Sequence, residues 1–172
     1  MKSRIRQLIP GATYHVVCKI NRDQIIFDND TISVLLLDII IRCKKKYSFK
    51  VKNFCIMGNH IHFLITPGKD SPLPRIMQWI NSVFAKAYNK LMGYSGRLWK
   101  ERYFSKIIET VKQLVNTFEY IILNPVKAKL VQYAKDFKHS GLYHYLHKKS
   151  GIIDAEGKKV QALYEGYLAG KK

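Results

Sequence analysis

Hydrophobic and polar positions alternate along four short segments of the chain, which is the pattern of half-buried β-strands. Residues 13–20 are rich in β-branched and aromatic types and predict the first strand. Residues 49–57 and 60–66 predict the second and third, and residues 103–109 the fourth. Gly58-Asn59 leaves only a short turn between the second and third segments, so these two strands should form an antiparallel hairpin.

Longer segments with an apolar residue every three or four positions predict helices. Three of them are residues 32–46, 73–91 and 111–124. Asp30 or Thr31 can cap the first, and its lysine-rich last turn suits the helix dipole. The third should end at Asn124, because Pro125 biases the preceding residue away from the helical region.

The order of these elements is β-α-β-β-α-β followed by a helix, which is the split βαβ or ferredoxin-like pattern. We therefore predict an α+β fold, a ferredoxin-like antiparallel sheet with helices packed on it. A chain of 172 residues suits a single domain over residues 1–172. Residues 133–172 are mixed and basic and should form a C-terminal helical extension, with a last helix over residues 160–168.

The charge of the chain points to a polyanionic partner. Lys and Arg number 30 against 12 Asp and Glu, which gives a formal charge of +18. Such a surplus repels itself unless a polyanion neutralises it, so nucleic acid is the leading partner. A membrane surface ranks well below, because neither end shows an amphipathic basic helix. With no signal-peptide pattern, and with Cys18, Cys43 and Cys55 expected as buried free thiols, we expect a cytoplasmic protein.

Two histidines flank one apolar residue at the start of the third strand. Side chains alternate faces on a strand, so His60 and His62 should point the same way, with Cα atoms roughly 7 Å apart. Two imidazoles at that spacing can converge on one metal ion and leave its other positions open, which suits catalysis. The same pattern also arises by chance on an exposed strand face with nothing bound.

Polar side chains also share one face of the third predicted helix. Tyr120 and Asn124 are four residues apart, so they lie on the same side. A phenol and an amide oxygen there could address one metal-bound phosphate. A tyrosine at a helix surface and an asparagine at a helix end are also both common without any function, and the spacing alone does not outweigh that explanation.

Basic and aromatic residues are interleaved just before the fourth strand. Arg97, Lys100 and Arg102 lie beside Trp99 and Tyr103, the mixture that contacts phosphates and stacks on unpaired bases. The alternative is that the two aromatic rings pack on the sheet.

Several of these segments together resemble REP-associated tyrosine transposases, within the single-tyrosine HUH transposases. The resemblance covers about residues 10–155. In chain order the matching pieces are Tyr14-His15-Val16 with Asn21 and Ile26-Phe27, then Met57 to His62, then Gly96 to Tyr103, and last Tyr120-Ile121-Ile122-Leu123-Asn124-Pro125-Val126-Lys127-Ala128. The last piece is the most specific.

The resemblance implies a metal-dependent endonuclease and strand transferase that cuts single-stranded or hairpin DNA through a covalent 5′-phosphotyrosine. His60 and His62 match the family's metal-binding pair, which would hold Mg²⁺ or Mn²⁺, and Asn124 matches the position that completes the metal site. Tyr120 matches the nucleophile. Lys127 stands where the family often has Arg, so it keeps the charge on DNA but loses the bidentate fork. The resemblance leaves monomer and homodimer open.

Three other functions fit parts of the sequence. A degenerate relative would bind structured nucleic acid without cutting it, but it would be expected to lose His60, His62 or Tyr120. An unrelated RNA-binding ferredoxin-like domain would need paired aromatics on central strands, and the glycine-rich motif that accompanies them is absent. A histidine-based phosphodiesterase would use water as its nucleophile.

Overall fold

The computed structural model describes residues 8–9, 11–149 and 151–168. Within that part of the chain, four strands form one antiparallel sheet in the order β2-β3-β1-β4. The strands are β1 (Thr13–Lys19), β2 (Phe49–Met57), β3 (His60–Pro67) and β4 (Phe104–Ile108). The predicted ferredoxin-like α+β fold is confirmed, with each strand starting and ending within one residue of its predicted bounds.

Five α-helices accompany the sheet in the described residues. They are α1 (Asp30–Lys46), α2 (Leu73–Met92), α3 (Val111–Lys127), α4 (Gly141–Leu146) and α5 (Lys158–Leu168). Single turns of 3-10 helix cover Asn21–Asp23 and Ala134–Asp136. The short helix α4 was not predicted.

Two helix ends differ from the prediction, and each has its own physical reason. Helix α1 is capped by Asn29, whose side-chain oxygen accepts a hydrogen bond from the Thr31 N–H at 2.9 Å, so neither Asp30 nor Thr31 is the cap. Helix α3 continues past Pro125 to Lys127. The proline removes one helical hydrogen bond, but its ring is buried and the Ala128 N–H still bonds to the Asn124 carbonyl at 3.0 Å.

The sheet has a hydrophobic cluster on each face. Strand alternation sends Tyr14, Val16 and Ile61 to the cluster that α1 and α2 cover. Leu64 points to the opposite face, where Phe118 of α3 heads a second cluster. We call these the α1/α2 face and the α3 face. The histidines of β3 alternate with Ile61 and Phe63, so they lie on the α3 face.

The hairpin turn that starts β3 is held from outside. The Gly58 carbonyl accepts hydrogen bonds from the N–H groups of Ile26 and Phe27 at 2.9 and 3.0 Å, and the Asn59 carbonyl accepts one from Ile20 at 2.8 Å. A Cβ on Gly58 would approach an Asp28 carboxylate oxygen to 2.9 Å, so this close approach favours glycine. The turn therefore fixes the backbone immediately before His60.

The chain after α3 covers the outer edge of β2. Isolated bridges join Cys55 to Ser140 and Val51 to Ile153, and the Asp154 carboxylate accepts from the Val51 N–H at 2.8 Å. This edge is thus paired, whereas β4 is the terminal strand at the other side of the sheet. Residue 150 and residues 169–172 of the predicted extension lie outside the described residues.

The three cysteines are buried and free, as predicted. Burial raises the pKa of the Cys18 and Cys43 thiols to about 12, which leaves both unreactive. Among the described residues, no helix has the length and apolarity to cross a bilayer.

Candidate active site

His60 and His62 lie side by side on the α3 face, as their spacing predicted. Their ring centroids are 4.9 Å apart and the ring planes are nearly perpendicular, at 87°. His62 is 3% exposed, and His60 is partly buried. Two imidazoles therefore share one small volume at the centre of the sheet.

The Nδ1 atom of His60 is hydrogen-bonded to a neighbouring side chain. This nitrogen lies 2.8 Å from the Asn59 side-chain oxygen, which can only accept a hydrogen bond. With the Asn59 amide in this orientation, Nδ1 donates the hydrogen bond and the lone pair of His60 is on Nε2. A hydrogen bond of this kind fixes the tautomer and the orientation of a ligating histidine.

His15 is the functional candidate that sequence reasoning missed. Its Nε2 lies 3.0 Å from His62 Nδ1, and the two rings are stacked, with centroids 5.2 Å apart and planes at 22°. In the sequence, His15 was marked only by its place in the Tyr14-His15-Val16 segment that resembles the family. Strand alternation puts its side chain on the face opposite to those of Tyr14 and Val16. Its contact with His62 depends on the pairing of β1 with β3, which joins residues 47 apart in sequence.

Burial keeps these imidazoles neutral. It lowers the pKa of His62 to about 3 and that of His15 to about 4, with smaller contributions from the neighbouring histidines and from Lys106 respectively. Burial, with help from Lys19, also lowers the pKa of His60. Neutral imidazole is the form that binds metal ions.

Among the described residues, the buried polar atoms without a hydrogen-bond partner include His62 Nε2 on β3 and Asn124 Nδ2 on α3, one turn after Tyr120. Buried polar groups are nearly always satisfied, so an unpartnered lone pair on a histidine suits a missing ligand. The oxygen and nitrogen of an asparagine amide are interchangeable by a flip, so Asn124 can present either. Two imidazole nitrogens with an amide oxygen suit Mn²⁺ and are a less typical set for Mg²⁺.

His60, His62 and Asn124 would supply only part of the coordination shell of a metal ion. In the described ranges, no group of three or more His, Cys, Asp or Glu residues is placed to hold a metal ion. The remaining positions would have to be filled by water or by a ligand such as phosphate.

Helix α3 brings Tyr120 against the histidines. Its ring centroid lies 5.4 Å from that of His62 and 6.0 Å from that of His15, and both contacts are edge-on. The side chain is nevertheless 43% exposed. Lys127, two turns along the same helix, places its Nζ 5.7 Å from the Tyr120 ring centroid. The Tyr120 phenol thus borders His62 and His15 on one side and solvent on the other.

The predicted DNA-contacting segment divides into exposed cations and anchored rings. Arg97, Lys100 and Arg102 are exposed, although Lys100 lies 3.6 Å from Asp23. The Trp99 indole N–H donates to the Asn81 carbonyl at 2.9 Å, and its ring packs against Phe84 at 5.6 Å between centroids. Tyr103 is buried. Both rings therefore pack against the rest of the protein, which was the alternative to base stacking. A role of Trp99 and of the three cations in DNA binding stays a prediction.

A ferredoxin-like sheet with two histidines close to a helix-borne tyrosine is the arrangement that the resemblance to single-tyrosine HUH transposases implied. Comparison with known proteins agrees. The family model described as Transposase IS200 like matches residues 9–124. The chain therefore belongs to the IS200-like transposase family.

The chain is also similar to individual REP-associated tyrosine transposases. A protein of Haemophilus influenzae, assigned to the REP-associated tyrosine transposases, is 26% identical over 107 residues. That match covers 56% of this chain and 61% of the relative, so the chain spans less than two thirds of it. A solved REP-associated tyrosine transposase, bound to a REP hairpin, is similar in fold, with a TM-score of 0.74 at 22% identity. The similarity covers 92% of this chain and 93% of that structure.

Proposed function

We propose that this protein is a metal-dependent endonuclease and strand transferase that acts on single-stranded DNA beside a hairpin. The observation that carries the proposal is the position of Tyr120, whose ring lies against His62 while that histidine keeps a buried, unpartnered Nε2. A nucleophile and a pair of metal-binding nitrogens thus border one site that is open to solvent.

The residues present fit a divalent metal ion. His60 and His62 would bind it through Nε2, and Asn124 through its amide oxygen. A bound Mg²⁺ or Mn²⁺ would polarise a phosphate oxygen and stabilise the charge that develops at phosphorus.

His15 acts in this proposal as a positioning residue. If His62 Nδ1–H donates to His15 Nε2, the His62 lone pair is fixed on Nε2 and aimed into the site. The stacked ring of His15 also limits rotation of His62. Partners of this kind orient metal ligands and raise their basicity.

Tyr120 supplies the nucleophile. Its hydroxyl oxygen attacks a DNA phosphorus and loses its proton to solvent, the bond from phosphorus to the 3′ oxygen breaks, and that oxygen takes up a proton. The product is a 5′-phosphotyrosine and a free 3′-OH. Because the phosphodiester energy is retained, a second 3′-OH can attack the phosphotyrosine and join the strands without a nucleoside triphosphate.

Charge and fold support hairpin DNA as the substrate. The formal charge of +18 favours binding to a polyanion such as DNA, and the structural relative was solved with a REP hairpin. Arg97, Lys100, Arg102 and Lys127 are the cations that we expect to contact the phosphates.

A denaturing-gel assay tests this function. A labelled hairpin with single-stranded flanks is incubated with Mn²⁺ and either the wild type, Tyr120→Phe or His62→Ala. We expect a protein–DNA adduct only with wild type and only with metal. Cleavage that survives Tyr120→Phe would indicate water as the nucleophile. Tight binding without cleavage, across palindromes from the source genome, would indicate a non-cleaving nucleic-acid-binding protein.

A further inference from the structure

An aromatic ring on β4 lies open to solvent on the same face as the histidines. Phe104 is 58% exposed. The alternation along β4 fixes its direction: Ile107 packs in the α1/α2 cluster, whereas Ile108 packs in the α3 cluster. Phe104 and Lys106 share the side of Ile108, so both belong to the α3 face.

The strand register brings this ring close to the proposed site. Phe104 pairs with Val17 of β1, and Val17 pairs on its other side with His62. Neighbouring strands are about 4.8 Å apart, so the Cα atoms of Phe104 and His62 are separated by about 10 Å. Val17 is only partly buried, so it forms an open floor between them.

The charge around this floor suits a polyanion. Lys106 pairs directly with His15 across the sheet and is exposed. On the opposite side Lys19, which also contacts Asp23, is near enough to His60 to act on it electrostatically. Lys106 and Lys19 therefore place positive charge on two sides of this floor, where a phosphodiester backbone could cross.

We propose that Phe104 is a stacking platform for an unpaired base flanking the scissile phosphate, and that Lys106 contacts the adjoining backbone phosphate. The inference rests on the proposed function, since it names how that site holds its single-stranded substrate. The Cα atoms of Phe104 and His62 are about 10 Å apart, which places the stacked base one or two nucleotides from the reacting phosphate. Trp99, whose indole N–H and ring are both engaged by α2, is poorly placed for the same role.

The test measures binding without metal, so that cleavage plays no part. The probe is a hairpin with a single-stranded extension that carries 2-aminopurine at one position at a time. Stacking on an aromatic ring quenches its fluorescence, and anisotropy gives the affinity. The variants are Phe104→Leu, which keeps an apolar side chain but removes the ring, and Phe104→Tyr, which keeps the ring. Tyr94→Leu is the matched control, because Tyr94 is 57% exposed at the end of α2, on the α1/α2 face.

We expect Phe104→Leu to weaken binding of the extended hairpin by about five-fold to a hundred-fold, the usual range for one base on one ring. It should also abolish quenching at one position of the extension. Phe104→Tyr and Tyr94→Leu should bind like wild type, and a blunt hairpin should not distinguish any of the variants.

Three results would overturn the inference while leaving the proposed function standing. The first is that Phe104→Leu binds the extended hairpin and quenches 2-aminopurine as wild type does. The second is that Phe104→Leu weakens binding of the blunt hairpin as much as binding of the extended one. The third is that wild type sediments as a dimer and Phe104→Leu as a monomer, which would assign the β4 edge to a second copy of the chain. Failure of wild type to bind either probe would instead overturn the proposed function itself.

Discussion

Replacement of His15 by leucine should weaken metal binding while leaving the fold intact. Leucine removes the partner of His62 Nδ1, which lies 3.0 Å from His15 Nε2. His62 is 3% exposed, so water cannot easily replace that partner. The ring is then free to place its proton on either nitrogen, and Nε2 no longer presents a lone pair by default.

The size of the effect follows from the cost of that lost bond. A buried polar group without its partner costs about 1–3 kcal/mol. At about 1.4 kcal/mol for each factor of ten, metal affinity should fall by about ten-fold to a hundred-fold, the range found when such partners are removed from metal sites. His15→Gln, whose amide oxygen can accept from Nδ1–H, should recover most of the loss. The free energy of unfolding without metal should also fall, by up to about the same 1–3 kcal/mol, because His62 loses its partner in the metal-free fold as well, although leucine fills a similar volume.

Two measurements check this prediction. The first is the Mn²⁺ concentration at half-maximal adduct formation, compared among wild type, His15→Leu and His15→Gln. The second is the ¹⁵N NMR spectrum of the His62 ring in metal-free protein, which reports its tautomer directly. The reasoning would be refuted if His15→Leu kept both the wild-type tautomer and the wild-type Mn²⁺ dependence, or if glutamine were as damaging as leucine.

Three further predictions concern stability and substrate contact. Gly141→Ala should destabilise the fold by about 1–3 kcal/mol in urea unfolding, because the added Cβ would collide with the Asn53 side-chain oxygen. Gly166→Ala is the control, since open space surrounds that residue and no loss is expected. Equal stability of the two variants would contradict this packing. Burial lowers the pKa of His144 to about 4, so the unfolded state binds its proton first and stability should fall from pH 6.5 to pH 4, by about 3 kcal/mol from this residue. His144→Phe should make that part of the stability-against-pH curve less steep, with the remaining slope due in part to His15 and His62, and an unchanged curve would show that His144 does not contribute. Lys127→Met should weaken hairpin binding and reduce the slope of log affinity against log salt by about 0.7–0.9, as for one lost phosphate contact; an unchanged slope would remove Lys127 from the interface.

The strands and the hairpin could be predicted because their signals are local. The alternation over residues 49–57 and 60–66, broken only by Gly58-Asn59, leaves one way to turn. The same alternation put His60 and His62 on one face. The helix ends were harder to predict. Asn29, Asp30 and Thr31 are all residues that can cap a helix, and the sequence does not say that Asn29 takes this position. Burial of the Pro125 ring, which is a tertiary effect, allowed α3 to continue.

The parts of the site that the sequence did not reveal depend on contacts between distant strands. A lone histidine on a strand carries no spacing signal, so His15 gained meaning only when β1 paired with β3. Phe104 resembled an ordinary strand residue until the register placed it one strand away from Val17 and two from His62. Trp99, by contrast, stood out in the sequence, but its ring is held against α2.

The most direct test of the account is to find the amino acid that DNA is joined to. After reaction with Mn²⁺ and a hairpin substrate, digestion with nuclease and trypsin should leave residues 113–127 as one peptide, which contains Tyr120 and no internal Lys or Arg. We predict that mass spectrometry finds a nucleotide phosphate on Tyr120 of this peptide, attached through its 5′ side. Cleaved DNA with free 5′-phosphate ends, and an unmodified Tyr120 peptide at every time point, would contradict the account.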